Sequence, residues 1–537
     1  MNLDEFIRCL HVQTDRARPP GWETDWADAP LPYKLYRNRP VFPFASEVPL
    51  KLGEKEAPAK PDTAAIDHLL WYSYGLARVS QSVAAAEELR QGIVPAHLFR
   101  RFAASGGGLY PNELYIYLRS GEWPRGVYHY DAAHHRLAML REGDFDEYAA
   151  RALGGRGDLS GCFGVVFVSV MFRKNFYKYH NFSYRLQGMD TGLLLGQLLE
   201  AARRLGFSAK VCYQFLDRAV NHLIGLSEDE ESVYAVIPLS ATPLPAWPSG
   251  RGGDRDGTTA GKLCRELPAV RHEQYVRSRR TSEYPMLLRM NEACMQESAR
   301  DFRELGGAPR VSAADGKKSV VPLPHAGERA FDFASVCRSR YSPEHEFVLG
   351  EVSRPKLAAL LQAMAAASAY DNDLASPLPP HHSAKPEPRE PRISVYGCFY
   401  NVEGLPDGAY RYEPGAHGLR PVLAGDLRRR LQRAMTLDNV NLSQVPLCFH
   451  LAGDADHLNG ELGYRGYRIQ QMEAGMLVQR LLLAATAAGF GGRPLFGYDA
   501  RMCDELYSLP APGETSLIQI PVGPYRPRAR QEAGLHR

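Results

Sequence analysis

The sequence lacks the features that nucleic-acid-binding, secreted and membrane-spanning proteins require. Its 64 basic and 61 acidic residues leave a net charge of +3, which gives no support for a nucleic-acid surface. No run of 18 apolar residues occurs, so the sequence predicts no membrane span. The N-terminus, from Met1 to Arg18, has no apolar segment of the kind found in secretory signals. We therefore expect a cytoplasmic protein that binds neither nucleic acid nor membrane.

Cysteine is sparse and scattered. The closest two of the nine cysteines in the sequence are Cys264 and Cys294, and none forms a Cys-x-x-Cys pair. That spacing argues against a zinc site and against a disulfide scaffold. We therefore expect no bound metal and a reducing compartment.

An internal repeat is the most informative feature that is present. The pattern Tyr-Arg-x4-Asp-x-Gly at 184–192 returns as Tyr-Arg-x4-Glu-x-Gly at 467–475. The same offset relates Leu-Gly-Phe at 205–207 to Ala-Gly-Phe at 488–490, and Ile-Pro-Leu at 237–239 to Ile-Pro-Val at 520–522. So long a period indicates two whole related domains rather than a solenoid. We interpret the chain as the equivalent of a homodimer on one polypeptide.

Helical and strand patterns mix in each copy without regular alternation, so the predicted class is α+β. Copy one has predicted strands at 113–118, 164–170 and 234–239, a hairpin near 126–131 and a long apolar helix over 191–205. Copy two repeats the helix at 469–488 and the closing strand at 517–522. The predicted segments are an N-terminal extension (1–63), copy one (64–240), a connector with helices (241–330), copy two (331–525) and a basic tail (526–537).

Other segments are predicted as helices or loops. Helical spacing covers 66–85 with a break near Gly75, and helices are expected over 285–305 and 353–367. The Gly/Asp/Arg-rich stretch 250–261 and the Pro-rich stretch 376–392 are expected to be loops. The basic residues beyond 524 are expected to be partly frayed.

A Gly-rich segment is the first that can carry chemistry. It begins at Arg101 and includes Ser105, Gly106 and Gly107 just before a predicted strand. Consecutive glycines let the backbone approach a flat ring or an anion with free N–H donors. The alternative is a tight turn before the strand.

The adjacent pair Lys178 and Tyr179 is the second candidate. A desolvated lysine can lose its proton near neutral pH, and a tyrosine beside an ammonium can become a base. The alternative is a solvated basic loop. Copy two has Glu461 and Leu462 at the equivalent positions, so any base exists in one copy only.

Arginine-rich segments provide candidate anion ligands. Arg338, Ser339 and Arg340 open copy two, and guanidinium groups with a hydroxyl suit a phosphate, unless they are only solvated. Phe496 and Gly497 lie in a later segment where the backbone can approach a ligand or simply turn. The tail contributes further positive charge, near a phosphate or merely solvated, through Arg526, Arg528 and Arg530.

Together these segments resemble the nitroreductase-like flavoproteins, and most closely the SagB/McbC-type dehydrogenases that oxidise azolines in ribosomally made peptides. The resemblance covers about 64–240 and 331–525 and rests on Ser-Gly-Gly-Gly-Leu-Tyr-Pro-x-Glu-Leu-Tyr (105–115), Lys-Tyr-x4-Tyr-Arg (178–185), Arg-Ser-Arg (338–340) and Tyr-Arg-x4-Glu-Ala-Gly ending at 475. It implies FMN at the interface of two such domains. Cys337 stands where the family's phosphate segment has its first arginine.

The resemblance also implies roles for residues. Lys178 and Tyr179 correspond to the family's catalytic pair. The residues expected to bind FMN are Arg338, Ser339 and Arg340 at the phosphate, Ser105, Gly106 and Gly107 near the ring, and Arg101, Phe496 and Gly497. Because each copy keeps parts that the other has lost, we predict one composite site and one FMN per chain.

The implied reaction is FMN-dependent oxidation of a thiazoline or oxazoline ring to a thiazole or oxazole. A precursor peptide would be the substrate and a cyclodehydratase the partner, and the fused chain itself can still form a homodimer. One alternative is another flavin reaction, either an NAD(P)H-dependent reductase or an oxidase of a carrier-bound peptide. The other alternative is a catalytically inactive scaffold that binds peptides or partner enzymes.

Overall fold

Two antiparallel sheets of seven strands each dominate a computed structural model of the chain. The structure describes residues 1–45, 47–53, 61–82, 96–119, 121–244, 257–278, 283–305, 319–325, 331–374, 391–511, 513–527 and 531–534. The strands of this part are β1 (Val41–Pro43), β2 (Leu76–Ser82), β3 (Ala96–Arg101), β4 (Asn112–Leu118), β5 (Gly126–Asp131), β6 (Arg136–Glu142), β7 (Cys162–Met171), β8 (Ser208–Ala209), β9 (Glu231–Ser240), β10 (Val321–Pro322), β11 (Ser394–Phe399), β12 (Gly408–Glu413), β13 (Gly418–Ala424), β14 (Leu447–Asp454), β15 (Gly491–Gly492), β16 (Glu514–Gly523) and β17 (Gln531–Gly534).

The two large sheets have equivalent strand orders, which confirms the tandem α+β fold. The first runs β1-β6-β5-β4-β7-β9-β8 and the second β10-β13-β12-β11-β14-β16-β15. Each sheet takes one edge strand, β1 or β10, from outside the predicted copies. The sheets therefore extend into the predicted N-terminal extension and connector.

Helices cover the sheets and join the two halves. In the described residues they are α1 (Leu3–Val12), α2 (Thr63–Tyr74), α3 (Asp146–Ala152), α4 (Arg173–Tyr179), α5 (Ser183–Arg204), α6 (Asp217–Ile224), α7 (Ala260–Glu266), α8 (Pro285–Cys294), α9 (Phe333–Ser339), α10 (Arg354–Ser368), α11 (Arg428–Ala434), α12 (Asn459–Leu462), α13 (Tyr464–Ala487) and α14 (Ala500–Tyr507).

The long helix predicted in each copy is confirmed as α5 and α13, but both begin earlier than predicted. Their first turns carry the polar Tyr-Arg motif, which looks like a loop in the sequence. In the structure Arg185 is buried and donates to the carbonyls of Leu10 and Leu517, at 3.0 and 2.6 Å. Arg468 is also buried and donates to Asp217 at 3.1 Å. Because distant groups accept hydrogen bonds from these guanidiniums, the helices can start inside the core.

The two long helices pack against each other with equivalent positions in contact. The rings of Tyr184 and Tyr467 stack with centroids 6.0 Å apart. A Cβ atom at Gly192 would overlap the carbonyl oxygen of Met472, and one at Gly475 would overlap that of Met189. These contacts are reciprocal, as a two-fold axis requires, so the halves form a pseudo-dimer within one chain.

The apolar cores of the two halves interlock at this seam. Met189 and Leu193 of α5 belong to the core under the second sheet. In return, Tyr467 and Met472 of α13 belong to the core under the first sheet. The seam is therefore part of the interior, and neither half has a complete core without the other.

A third sheet, ordered β17-β2-β3, corrects two predictions. The helix expected over 66–85 ends at Tyr74, and the chain continues as β2 because Gly75 adopts an extended backbone with ψ of 158°. Within the tail, where partial fraying is expected, residues 531–534 form β17, with Gly534 opposite Arg78. This pairing uses backbone groups at an open edge, so the basic composition of the tail does not prevent it.

Other predictions hold in part. Strands β4, β7, β9 and β16, the hairpin β5–β6 and helix α10 confirm the predicted elements. The helix expected over 285–305 ends at Cys294, and a capping box at Ser298 starts a separate short turn. In the stretch 250–261, residues up to 256 lie outside the described residues, and Thr259 caps α7. The stretch 376–392 lies outside them up to residue 390. Within the described ranges, no helix combines the length and apolarity that crossing a membrane takes.

Candidate active site

The Gly-rich loop lies at the seam and is fixed by the acid of the repeat motif. Ser105 Oγ donates to Asp190 at 2.7 Å, and the Gly106 N–H donates to the same carboxylate at 2.9 Å. Gly107 follows with φ of 63°, a conformation that favours glycine. From the other half, Gln479 accepts from the Ala104 N–H at 3.3 Å. Residues of both α5 and α13 therefore hold the loop.

Asp190 is buried beneath this loop, and no cationic side chain among the described residues pairs with it. Burial raises the Asp190 pKa to about 7, and the hydrogen bonds from Ser105 and Gly106 oppose that rise. The carboxyl group therefore titrates near neutral pH in this environment.

Lys178 and Tyr179 meet the loop at Gly107. A Cβ atom at Gly107 would lie 2.5 Å from the Tyr179 hydroxyl and 3.2 Å from the Lys178 ammonium. Both head groups thus occupy the space that a larger residue would need. The structure brings together the Gly-rich segment and the Lys–Tyr pair, which lie far apart in the sequence.

The environment shifts the pKa values of these two groups in opposite directions. Burial, with the nearby charge of Arg100, lowers the pKa of Lys178. Burial, with the charge of Asp190, raises the pKa of Tyr179 to about 12. Lys178 therefore loses its proton more readily, and Tyr179 less readily, than the same side chains do in water. Of the two predicted bases, Lys178 suits proton removal, and Tyr179 suits hydrogen-bond donation.

Three arginines from both halves lie together near Lys178. Arg78 of β2 donates to the Arg340 carbonyl at 2.8 Å, and Arg340 donates to the Phe102 carbonyl at 3.1 Å. Burial and the charges of Arg78 and Arg100 lower the pKa of Arg340. Arg100 acts on Lys178 as well, so the arginines and the Lys–Tyr pair border one site.

This arginine cluster fits a phosphate group. In the described part of the chain, no carboxylate pairs with Arg100 or Arg340. Clustered guanidiniums that repel one another favour a bound dianion, which they can contact through charge-assisted hydrogen bonds. The donor set, together with the glycine backbone beside it, fits the phosphate and ring of FMN.

The second half also supplies an aromatic side chain. The Phe496 ring packs edge-on against the ring of Phe182, with centroids 5.9 Å apart. Phe182 follows Tyr179 by three residues in the chain. Arg493 binds Glu344 at 2.9 Å, and its charge acts on the Tyr179 hydroxyl. The Gly497 carbonyl accepts from the Thr436 N–H at 2.9 Å. Phe496 therefore borders the segment that carries Lys178 and Tyr179, whereas Gly497 contacts Thr436 instead of that segment.

Three predicted cofactor ligands make hydrogen bonds within the protein. Arg101 is buried and donates to the carbonyls of Tyr74 and Pro32, at 2.7 and 3.0 Å. Arg338 donates to the Leu50 carbonyl at 2.6 Å, and Ser339 Oγ to the Ser335 carbonyl at 2.8 Å. The cofactor-binding role of Arg101 stays a prediction. The roles of Arg338 and Ser339 toward a phosphate stay predictions, and Arg340 has the better position.

The pseudo-equivalent position in the other half is built differently. Glu473 takes the place of Asp190 but binds Arg392 at 2.9 Å and the Tyr370 hydroxyl at 2.6 Å. Asp373, just beyond, accepts from the Tyr213 N–H at 2.9 Å. The counterpart of the Gly-rich loop, near 387–390, lies outside the described residues. An ion pair and a docked segment of the chain thus surround the position of the second site.

Some residues of the site left no usable signal in the sequence. Arg78 and Arg100 lie 22 residues apart in the sequence, and the pairing of β2 with β3 brings them together. The centroid of the Trp26 ring lies 5.4 Å from the Lys178 ammonium, and this residue is 62% exposed. The residues that flank Trp26 in the sequence form no motif that would identify it as part of the site. Asp190 stands out in the repeat motif, but its spacing does not show what its carboxylate binds.

Comparison with known proteins agrees with the tandem architecture. A model described as the nitroreductase family matches residues 59–239 and 395–524, together more than half of the chain. A solved structure from Anabaena variabilis, described as that of a nitroreductase, is 21% identical over 98% of this chain and 99% of its own, with a TM-score of 0.71. That similarity shows a shared fold over the whole length.

Other solved structures match one half of the chain. A protein of Ralstonia eutropha described as a nitroreductase is 20% identical, covering 42% of this chain and 94% of its own, with a TM-score of 0.31. A chain of the E. coli microcin synthetase McbBCD complex with truncated pro-MccB17 bound is 21% identical, covering 45% and 97%, with a TM-score of 0.28. Neither of these two similarities bears on function. No curated protein matches the chain.

Proposed function

Since the chain belongs to the nitroreductase family, we propose that it is an FMN-dependent dehydrogenase that oxidises thiazoline or oxazoline rings in a ribosomally made peptide. The observation that carries the proposal is the meeting of Lys178 and Tyr179 at Gly107, beside the arginine cluster. Removing hydrogen from a carbon requires a base, whereas reducing a nitro group does not.

The residues of the site have distinct roles in this proposal. Arg340, with Arg78 and Arg100, would hold the FMN phosphate, and the backbone at Gly106 and Gly107 would lie against the ring. When bound, FMN supplies a two-electron acceptor for the hydride that leaves the azoline.

The protein itself handles the proton. Azoline oxidation removes a proton from the Cα atom and a hydride from the neighbouring ring carbon, and the ring becomes aromatic. Lys178, as the neutral amine, takes the Cα proton and becomes an ammonium ion. The Tyr179 hydroxyl keeps its proton and positions the substrate by donating a hydrogen bond. A well-placed base of this kind contributes roughly 100- to 10,000-fold to the rate.

The substrate class and partner follow from the resemblance. A precursor peptide would arrive with its rings already formed by a cyclodehydratase, and dioxygen would reoxidise the reduced flavin. Co-purification with a cyclodehydratase tests this part of the proposal.

The central experiment compares Lys178→Met and Tyr179→Phe with the wild type. The assay follows anaerobic bleaching of the flavin by a synthetic peptide with one central thiazoline. We expect Lys178→Met to lower the bleaching rate roughly 100- to 10,000-fold, with flavin content unchanged. Tyr179→Phe should mainly raise KM. For the wild type, kcat/KM should rise with pH to a plateau reached below the ordinary lysine pKa of about 10.4.

Lys262→Met is the matched control, because Lys262 is exposed on α7 in the connector. A Lys178→Met variant as fast as this control would remove Lys178 from the mechanism. Rapid bleaching by NAD(P)H, with none by the peptide, would favour a reductase. A colourless protein that takes up no FMN would favour the scaffold.

A further inference from the structure

A cavity of about 410 Å³ lies at the end of α4 opposite Lys178. Its apolar walls are Leu31, Tyr33, Met171, Val276, Tyr284 and Leu288. Lys34 and Lys174 also line it, but each is neutralised by a buried partner, Glu231 at 2.6 Å and Glu113. Its volume lies within the range of about 300–1,000 Å³ that is usual for ligand clefts. The other charged residues of the lining are Arg173, Arg277, Asp229, Glu230 and Glu283. The apolar walls suit a largely apolar group.

One wall of the cavity is an extended segment with an unpaired edge. Gln274 lies opposite Tyr36 in an antiparallel bridge. On one side of this bridge the Tyr275 N–H donates to the Leu35 carbonyl at 2.9 Å, and on the other the Arg37 N–H donates to the Glu273 carbonyl at 2.8 Å. The N–H groups of Gln274 and Val276 point to the other side, and no described residue accepts from them. Such an edge beside an apolar pocket is a common means of binding extended peptides.

Helix α4 connects this cavity to the proposed base. Arg173 lines the cavity, and Lys178 follows five residues later, a rise of about 7.5 Å. Roughly two residues of extended peptide cover that distance. Ser278, also at the cavity, binds both Arg173 and Asp28. Trp26 precedes Asp28 by two residues, and the Lys178 ammonium lies over its indole ring. One wall thus runs from the cavity to the reacting position.

We propose that this cavity binds the peptide next to the reacting ring in an extended conformation, and takes up a bulky apolar side chain two or three residues from that ring. The inference rests on the proposed function, because it requires a peptide substrate. Residues 30–34, 274–278 and 283–288, which form most of the walls, lie outside the stretches matched by the family model. The cavity would therefore set substrate preference separately from the chemistry of the flavin site.

The test uses synthetic heptapeptides with a central thiazoline and glycine elsewhere, or with one phenylalanine two or three positions from the ring. Oxygen consumption gives kcat and KM. We expect one phenylalanine position to lower KM roughly tenfold or more, as burial of an aromatic side chain predicts. Val276→Asp places a charge at a residue that is 52% exposed, so folding is unaffected. It should abolish this gain without changing the kinetics of the all-glycine peptide.

Leu423→Asp is the matched control, at a partly exposed leucine (39%) on β13, far from the cavity in the chain. A second measurement needs no turnover: fluorescence anisotropy with labelled heptapeptides that carry the thiazole product. If the wild type oxidises every peptide with the same KM, or Val276→Asp keeps the preference, the cavity assignment is overturned and the reaction stands. If no peptide is oxidised but the phenylalanine peptide binds and Val276→Asp releases it, the reaction fails and the cavity assignment stands. Absence of both oxidation and selective binding overturns both.

Discussion

The contact between Gly192 and α13 predicts a large effect of a single methyl group. In Gly192→Ala, the new Cβ would overlap the Met472 carbonyl oxygen and lie 2.7 Å from the carbonyl carbon and 2.8 Å from Cα. Normal contacts between such atoms are roughly 3.5–4.0 Å. These neighbours are backbone atoms, so no rotamer change can relieve the overlap, and the helices must move apart by about 1 Å.

The expected magnitude follows from two opposing terms. Overpacking of a well-packed interior costs about 1–3 kcal/mol, and more where backbone must move. Replacing glycine by alanine inside a helix contributes about 1 kcal/mol in the other direction. Because both cores interlock here, we expect a net loss of about 2 kcal/mol in the free energy of unfolding. Asp190 lies two residues away and holds the Gly-rich loop, so FMN affinity should fall as well.

Urea unfolding and flavin retention on gel filtration measure the two effects. Gly261→Ala is the control, since it also replaces a helical glycine, but its nearest neighbour is Arg265 Nη1 at 3.8 Å. That variant should gain about 1 kcal/mol from helix propensity alone. A Gly192→Ala protein as stable and as yellow as the control would refute the tight seam.

The cofactor site and its buried acid lead to three more predictions. Purified holoprotein should contain one FMN per chain, and a ratio near two would contradict the composite site. Arg340→Met should weaken FMN binding roughly 10- to 100-fold and lessen its salt dependence in calorimetric titration, whereas exposed Arg429→Met should change neither. The raised Asp190 pKa of about 7 means that the folded apoprotein keeps a proton that the unfolded chain loses above about pH 4, so stability falls between these values. Asp190→Asn should remove up to about 3 kcal/mol of this pH dependence in urea unfolding at pH 5 and pH 8, and an unchanged difference would contradict the pKa shift.

The repeat was sufficient to predict the tandem fold, because Tyr184, Gly192 and their counterparts are the residues that meet across the seam. Helix starts were not predictable, since Arg185 and Arg468 donate to groups far away in sequence. Strand β17 was missed because its pairing depends on backbone groups rather than on its side chains. The sequence thus predicts the elements that periodic patterns encode, but it does not predict polar contacts between residues that lie far apart in the chain.

The same limit applies to the site. Gly107, Lys178 and Tyr179 lie in recognisable local segments, so their candidacy was predictable. Arg78 and Arg100 come together only through strand pairing. The preference for Lys178 over Tyr179 as the base depends on burial and on neighbouring charges, which the spacing of residues does not reveal.

The interlocked helices α5 and α13 belong to one covalent chain, and this determines whether the two halves stay together at low protein concentration. Separate subunits dissociate on dilution, since their assembly obeys mass action. Here each half meets the other at a fixed effective concentration, so the cleft between them persists however little protein is present. A change in a symmetric dimer appears twice, at both clefts. In this chain each half accumulates substitutions on its own, which allows the two clefts to diverge.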